Sequence, residues 1–180
     1  MRKIYFVLTS TGTILSKIIR AYTKDEFTHV SISLDKDLQQ MYSFGRLKPY
    51  NPFIGGFVHE YIDKGTFKRF YNTKARVYEL EIEDEQYEKL QQIILEFWNN
   101  KNSLKFNLLG LFAVGFNIKY TKENAYYCAE FIKYATEESN INLHLPELVR
   151  PENFKNLQGI KNVYQGLLRE YTPELEKVAI

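Results

Sequence analysis

The stretch Thr28-His29-Val30-Ser31-Ile32-Ser33-Leu34-Asp35-Lys36-Asp37-Leu38 decides the fold. From His29 to Leu34 polar and apolar residues alternate strictly, which is the period of a strand with one buried face. Asp35-Lys36-Asp37 supplies a turn, and Leu38 to Phe44 returns as the partner strand. On the N-terminal side, Lys3 to Thr9 is rich in Tyr, Phe, Val and Leu and reads as a buried strand, after which Ser10 or Thr11 can cap a helix through about Tyr22. On the other side, Gly45 to Phe57 carries Pro49, Pro52, Gly55 and Gly56 and reads as a loop, a lid or groove wall beside the hairpin.

The remaining elements follow from periodicity. Ala75 to Ile82 alternates as a strand, and Glu83 or Asp84 then starts a helix that puts Tyr87, Leu90, Ile93, Ile94, Phe97 and Trp98 at helical spacing. Phe106 to Phe116 reads as a short buried helix, residues 117 to 127 as a loop, and about Cys128 to Ser139 as a helix. Pro151 suits the first turn of another short helix, Asn162 to Arg169 is a glycine-interrupted strand, and the tail after Tyr171 is polar enough to fray. The chain shows no internal repeat and no linker. One α+β domain over residues 1–180 with a largely antiparallel sheet is the expected architecture.

Composition narrows the class. Hydrophobic residues make up 44% and charged residues 26%, close to globular averages. The 24 Lys and Arg and the 22 Asp and Glu are mixed along the chain, so nucleic acid is not an expected partner. A single cysteine excludes an intramolecular disulfide and, with three scattered histidines, argues against structural zinc; no cofactor is implied. The apolar run Ile4 to Leu8 is short for a signal peptide, and Phe106 to Phe116 falls well below the roughly 20 residues a spanning helix needs. No integral membrane segment and a reducing, cytoplasmic location are therefore expected.

Chemistry concentrates at two positions. Cys128, in Asn124-Ala125-Tyr126-Tyr127-Cys128-Ala129-Glu130-Phe131, sits where a loop turns into a helix. Unpaired N–H groups and the positive end of the helix dipole favour the thiolate nucleophile there, and the same N–H groups can hold an oxyanion. His29 opens the alternating strand and is the expected general base. Each has a bland alternative: a buried cysteine as a small hydrophobe, and a strand histidine satisfied by a neighbour.

Thr28-His29-Val30-Ser31-Ile32, Met41-Tyr42-Ser43-Phe44-Gly45-Arg46, Tyr127-Cys128-Ala129-Glu130-Phe131, and Arg150-Pro151-Glu152 with Val163-Tyr164-Gln165-Gly166 resemble the circularly permuted, NlpC-type, YiiX-like proteins of the papain-like superfamily. The resemblance spans about residues 4 to 170, and its specific part is the order, histidine strand before cysteine helix. It implies a permuted papain-like α+β fold, an antiparallel sheet or half-barrel packed with helices, and thiol hydrolysis of an amide or ester. It also implies a third polar residue, on the strand after the histidine, that orients the imidazole.

Hairpin geometry nominates that third residue. If the hairpin turns symmetrically about Lys36, His29 faces Ser43; a turn centred between Asp35 and Lys36 nominates Tyr42. Glu60 and His59 follow the glycine-rich segment and can line the site, Glu130 fits a structural role in the first helical turn, and His144 reads as solvated. Tyr42 and Tyr127 are the expected substrate-binding residues, and with Phe44, Phe53, Phe57 and Tyr126 they either line an apolar groove or fill the core.

The leading functional expectation is a cysteine hydrolase that cleaves an amide bond, in a peptide or a cell-wall-type substrate, through a thioester. Two rivals remain open at this point. One is an acyltransferase or lipid hydrolase, since lecithin:retinol acyltransferase shares the histidine-then-cysteine order. The other is a binding module whose thiol has no catalytic task.

Overall fold

The computed structural model describes residues 1–173, leaving aside the side chains of Ile14, Leu15, Tyr22 and Pro52; from residue 174 on, the tail expected to fray lies outside the described residues. In chain order the strands and helices are β1 (Arg2–Ser10), α1 (Ile14–Thr23), β2 (His29–Ser33), β3 (Met41–Lys48), β4 (Asn51–Glu60), α2 (Gly65–Arg69), β5 (Lys74–Ile82) and α3 (Asp84–Asn99). Then come β6 (Lys105–Phe106), α4 (Leu108–Gly115), β7 (Ala125–Tyr126), α5 (Cys128–Glu138) and β8 (Lys161–Leu167), with 3-10 turns at Pro151–Asn156 and Leu168–Glu170. The expected α+β class is what is observed. Its main sheet has six strands in the order β4-β3-β2-β1-β5-β8, every neighbouring pair antiparallel.

The alternation read from the sequence sorts the sheet's two faces. Pairing of Phe6 with Ile32 and Leu8 with Val30 places these residues on one face, where they bury with Phe44 and Phe57 under Leu90, Ile94, Phe131 and Ile132 of α3 and α5. The other face collects Tyr5, Val7, Met41, Ala75 and Val77 with Phe67 of α2. Two layers on one sheet are the ordinary way such a strand set buries its apolar area. On the first face Phe131 is the hub, with ring centroids 5.6 Å from Phe44, 5.1 Å from Phe57 and 5.0 Å from Phe97. These tilted and edge-to-face contacts are the favoured aromatic geometries and fix α5 against β3 and β4.

Three expectations are corrected. Residues 45 to 57 are not a loop: β3 runs to Lys48, only Pro49 and Tyr50 turn, and β4 returns from Asn51. Pro52 is tolerated because β4 is the sheet's edge, and Gly55 serves a close approach, since a Cβ there would stand 2.7 Å from Phe106 Cβ. The return strand starts at Met41, not Leu38, because Leu38 adopts a left-handed φ of 54° within the turn. Helix α1 is capped by Thr13, whose Oγ1 accepts a hydrogen bond from the Ser16 N–H at 3.2 Å, and Gly12 with φ 68° separates it from Ser10 and Thr11. Among the described residues no helix is long and apolar enough to cross a membrane.

Phe131 is fully buried, so Phe131→Ala should cost ~3–5 kcal/mol of unfolding free energy in urea titration. A cost below about 1 kcal/mol would mean that the aromatic cluster is not what holds α5 on the sheet.

Candidate active site

His29 is the first residue of β2, tied to β1 by the Thr28 N–H, which donates to the Thr9 carbonyl at 3.1 Å. The β2–β3 register pairs Ser33 with Met41 and Ile32 with Tyr42, so residues opposite each other sum to 74, not 72. Continued down the hairpin, that register puts Gly45, not Ser43, beside His29, and a Cβ built on Gly45 stands 3.6 Å from His29 Cε1. The missing side chain leaves the imidazole room to reach across β3. Its Nε2 lies 3.1 Å from both Oε1 and Oε2 of Glu60, the last residue of β4. Ser31 Oγ donates to Glu60 Oε2 and lies 3.3 Å from the same ring nitrogen.

The third residue on the imidazole is therefore Glu60. The hydrogen bond expected from Ser43 is not made: Ser43 Oγ is fully buried and donates to the Val30 carbonyl at 2.7 Å. A two-residue displacement of register keeps Ser43 on the face of His29 but moves it along the strand, because the side-chain period is two. Tyr42 points to the other face, where its ring stacks on His59 at 4.6 Å and 22°.

Cys128 comes from the opposite direction. Backbone hydrogen bonds from Asn107 N to Tyr126 O and from Lys105 N to Asn124 O hold the segment before it, and β7 pairs in parallel with β6. The extended φ and ψ of Tyr127, −101° and 170°, then end the strand and let Cys128 begin α5. The sulfur is close enough to the His29 side chain to raise its pKa, and both side chains line the same cavity. With Nε2 turned to Glu60, Nδ1 is the ring nitrogen left to serve it. One cavity is lined by Cys128, His29 and Glu60 together with Phe44, Phe67 and Phe106.

The electrostatics are set by opposing effects. Burial pushes the imidazole pKa down, but the Glu60 carboxylate and the hydrogen bonds with Cys128 and Glu60 outweigh it and carry the pKa up to about 10. At neutral pH the ring is an imidazolium with Glu60 on one side and the sulfur on the other.

Tyr127 and Tyr42 do not line this cavity. Tyr127 is buried and its hydroxyl donates to the Val149 carbonyl at 3.0 Å, while Tyr42 faces a separate groove with Leu34, Leu95 and Trp98. Glu130 has the structural place expected of it, accepting from the Tyr127 N–H at 3.3 Å. His59 Nε2 meets the Gln39 carbonyl at 2.6 Å, and His144 is exposed. Glu60 was visible in the sequence only as a neighbour of the glycine-rich segment. Reading residues 51 to 60 as a strand would have put Val58 and Glu60 on the face of Ser43 and Met41, their partners in the sheet.

His29 is protonated more tightly in the folded chain than in the unfolded one, where its pKa is about 6.5. Its stabilising contribution should therefore be complete below about pH 6.5 and decline as pH rises toward 10. Urea unfolding from pH 6 to 10 should show a downward slope that His29→Gln removes; equal slopes for the two proteins would contradict the charged pair. No family model matches this chain and no curated protein matches it, so the functional reading rests on the geometry and chemistry of this cavity.

Proposed function

We propose that this chain is a cysteine hydrolase of the circularly permuted papain-like type, which cleaves an amide bond of a peptide or cell-wall-type substrate. The observation that carries the reading is the convergence of Cys128 and Glu60 on the His29 imidazole at the wall of one cavity. A thiol, a base and a group that orients the base are the minimum for nucleophilic catalysis of this kind. Chain order, His29 then Glu60 then Cys128, is the order of the permuted branch.

In this reading the Cys128 thiolate attacks the substrate carbonyl carbon, and the electron pair of the C=O bond moves to oxygen. The N–H groups at the start of α5 have no acceptor within the helix and stabilise that oxyanion. As the oxyanion collapses the C–N bond breaks, and the His29 imidazolium gives its proton to the departing amine. A thioester and a neutral imidazole remain. The imidazole then takes a proton from water, the hydroxide oxygen adds to the thioester carbonyl, and the C–S bond breaks to release the acid and restore the thiolate. Glu60 holds the ring in place and favours its charged form.

The aromatic and aliphatic lining, with Ile19 and Leu111 besides the three phenylalanines, favours a second reading in which the acyl group is a hydrocarbon chain. Activated esters test both. With p-nitrophenyl acetate, intact-mass analysis should find a transient acetyl group on Cys128, and His29→Ala should lower turnover by about 100-fold or more. A Cys128→Ala protein that turns over the ester like wild type would overturn the hydrolase reading. Preference for the decanoate over the acetate by about tenfold would select the acyl-chain reading over the peptide one.

A further inference from the structure

Arg46 lines the same cavity as Cys128 and His29 and takes no part in the chemistry above. It sits on β3 next to Gly45, and its Nη2 donates to Thr13 Oγ1 at 3.0 Å. Among the described residues no carboxylate lies within ion-pair distance of this guanidinium, whose other N–H donors have no acidic partner. The carboxylate among the lining residues, Glu60, is already engaged by His29 and Ser31. Burial and the nearby positive charge of Arg69 both disfavour the charged state of Arg46. Two like charges stand together there, one of them half-buried, with no anion between them.

A fixed guanidinium fork that is partly desolvated and faces a cavity is the geometry that receives a carboxylate or phosphate bidentately. The Thr66 hydroxyl on the same wall adds a neutral donor, while the hydroxyls of Thr11 and Ser16 donate to Thr13. The alternative, that Arg46 only fastens α1 through Thr13, uses a single N–H; the Phe70 ring, 5.6 Å from the guanidinium carbon, offers its face but no hydrogen-bond acceptor for the remaining N–H groups.

We propose that Arg46 forms an anion-recognition subsite, so that the substrate of the Cys128–His29–Glu60 centre carries a negatively charged group, a carboxylate in the amide reading, close to its scissile bond. This rests on the hydrolase reading for the position of the bond, but not for the affinity of the subsite. The negative group would be held by charge-assisted hydrogen bonds while the apolar wall takes the rest of the substrate.

Cys128 is the chain's only thiol, so its alkylation separates the two claims. Iodoacetate carries the carboxylate and iodoacetamide is its neutral counterpart. The ratio of their rate constants, followed by intact mass, should fall about tenfold in Arg46→Gln, the factor a charge-assisted hydrogen bond supplies, and fall less in Arg46→Lys. An unchanged ratio would overturn the subsite. Failure of the hydrolase reading shows elsewhere, as iodoacetamide labelling that does not respond to His29→Ala. Binding gives a readout independent of the thiol: in Cys128→Ser protein, hippurate should raise the melting temperature more than hippuramide does, and Arg46→Gln should erase the difference. Equal shifts from the two probes in the Cys128→Ser protein that retains Arg46 would reject the subsite. Shifts that separate hippurate from a phosphate monoester such as phenyl phosphate tell which anion it prefers.

Discussion

The contact between the His29 imidazole and the Glu60 carboxylate is the interaction on which the site depends. Taking both groups out of water is costly, and the pair is favourable only because each partner is charged and further hydrogen bonds complete it. Ser31 provides one of these to the carboxylate, and Cys128 provides the other contact to the ring. Removing Glu60 would take away the largest influence that holds the imidazole pKa up and leave burial to push it down.

That contact imposes conditions on the sheet. Glu60 belongs to the edge strand and His29 to the third strand in, so the imidazole must cross β3, and Gly45 is where it crosses. A Cβ at that position would press within 3.3 Å of Glu60 Oε1 and of Val58 Cγ2. The glycine thus has a steric purpose, and its backbone conformation is incidental. Cys128 is delivered independently by α5, and the Phe131 cluster ties that helix to the strands that carry Gly45 and Glu60. Packing on one face of the sheet and a polar contact on the other are therefore coupled through β3 and β4.

Much of this was legible in the sequence. The alternation at His29 to Leu34 identified a strand with one buried face, Cys128 was legible as the point where a loop turns into a helix, and the aromatic and aliphatic spacing of residues 87 to 98 marked α3. What escaped was the hairpin of β3 and β4, because Pro49, Pro52, Gly55 and Gly56 carry strong turn signals. Here Pro49 only turns the chain between two strands, and Gly55 serves a close packing contact with Phe106 on the edge strand. Register escaped too: Leu38 in the left-handed region lengthened the turn, so Ser43 was nominated where Gly45 stands. Local propensity does not encode such a displacement. It is set by which side chains the two faces must bury, and that is known only once the neighbouring strands are in place.

Direct titration of the His29 ring by nitrogen-15 NMR examines the charged pair at its source. The account predicts that both ring nitrogens stay protonated through neutral pH with a midpoint near 10, and that Glu60→Gln moves the midpoint sharply down. A midpoint near the ordinary value of about 6.5 in the unaltered protein would contradict it, and with it the proposal that an imidazolium protonates the leaving group.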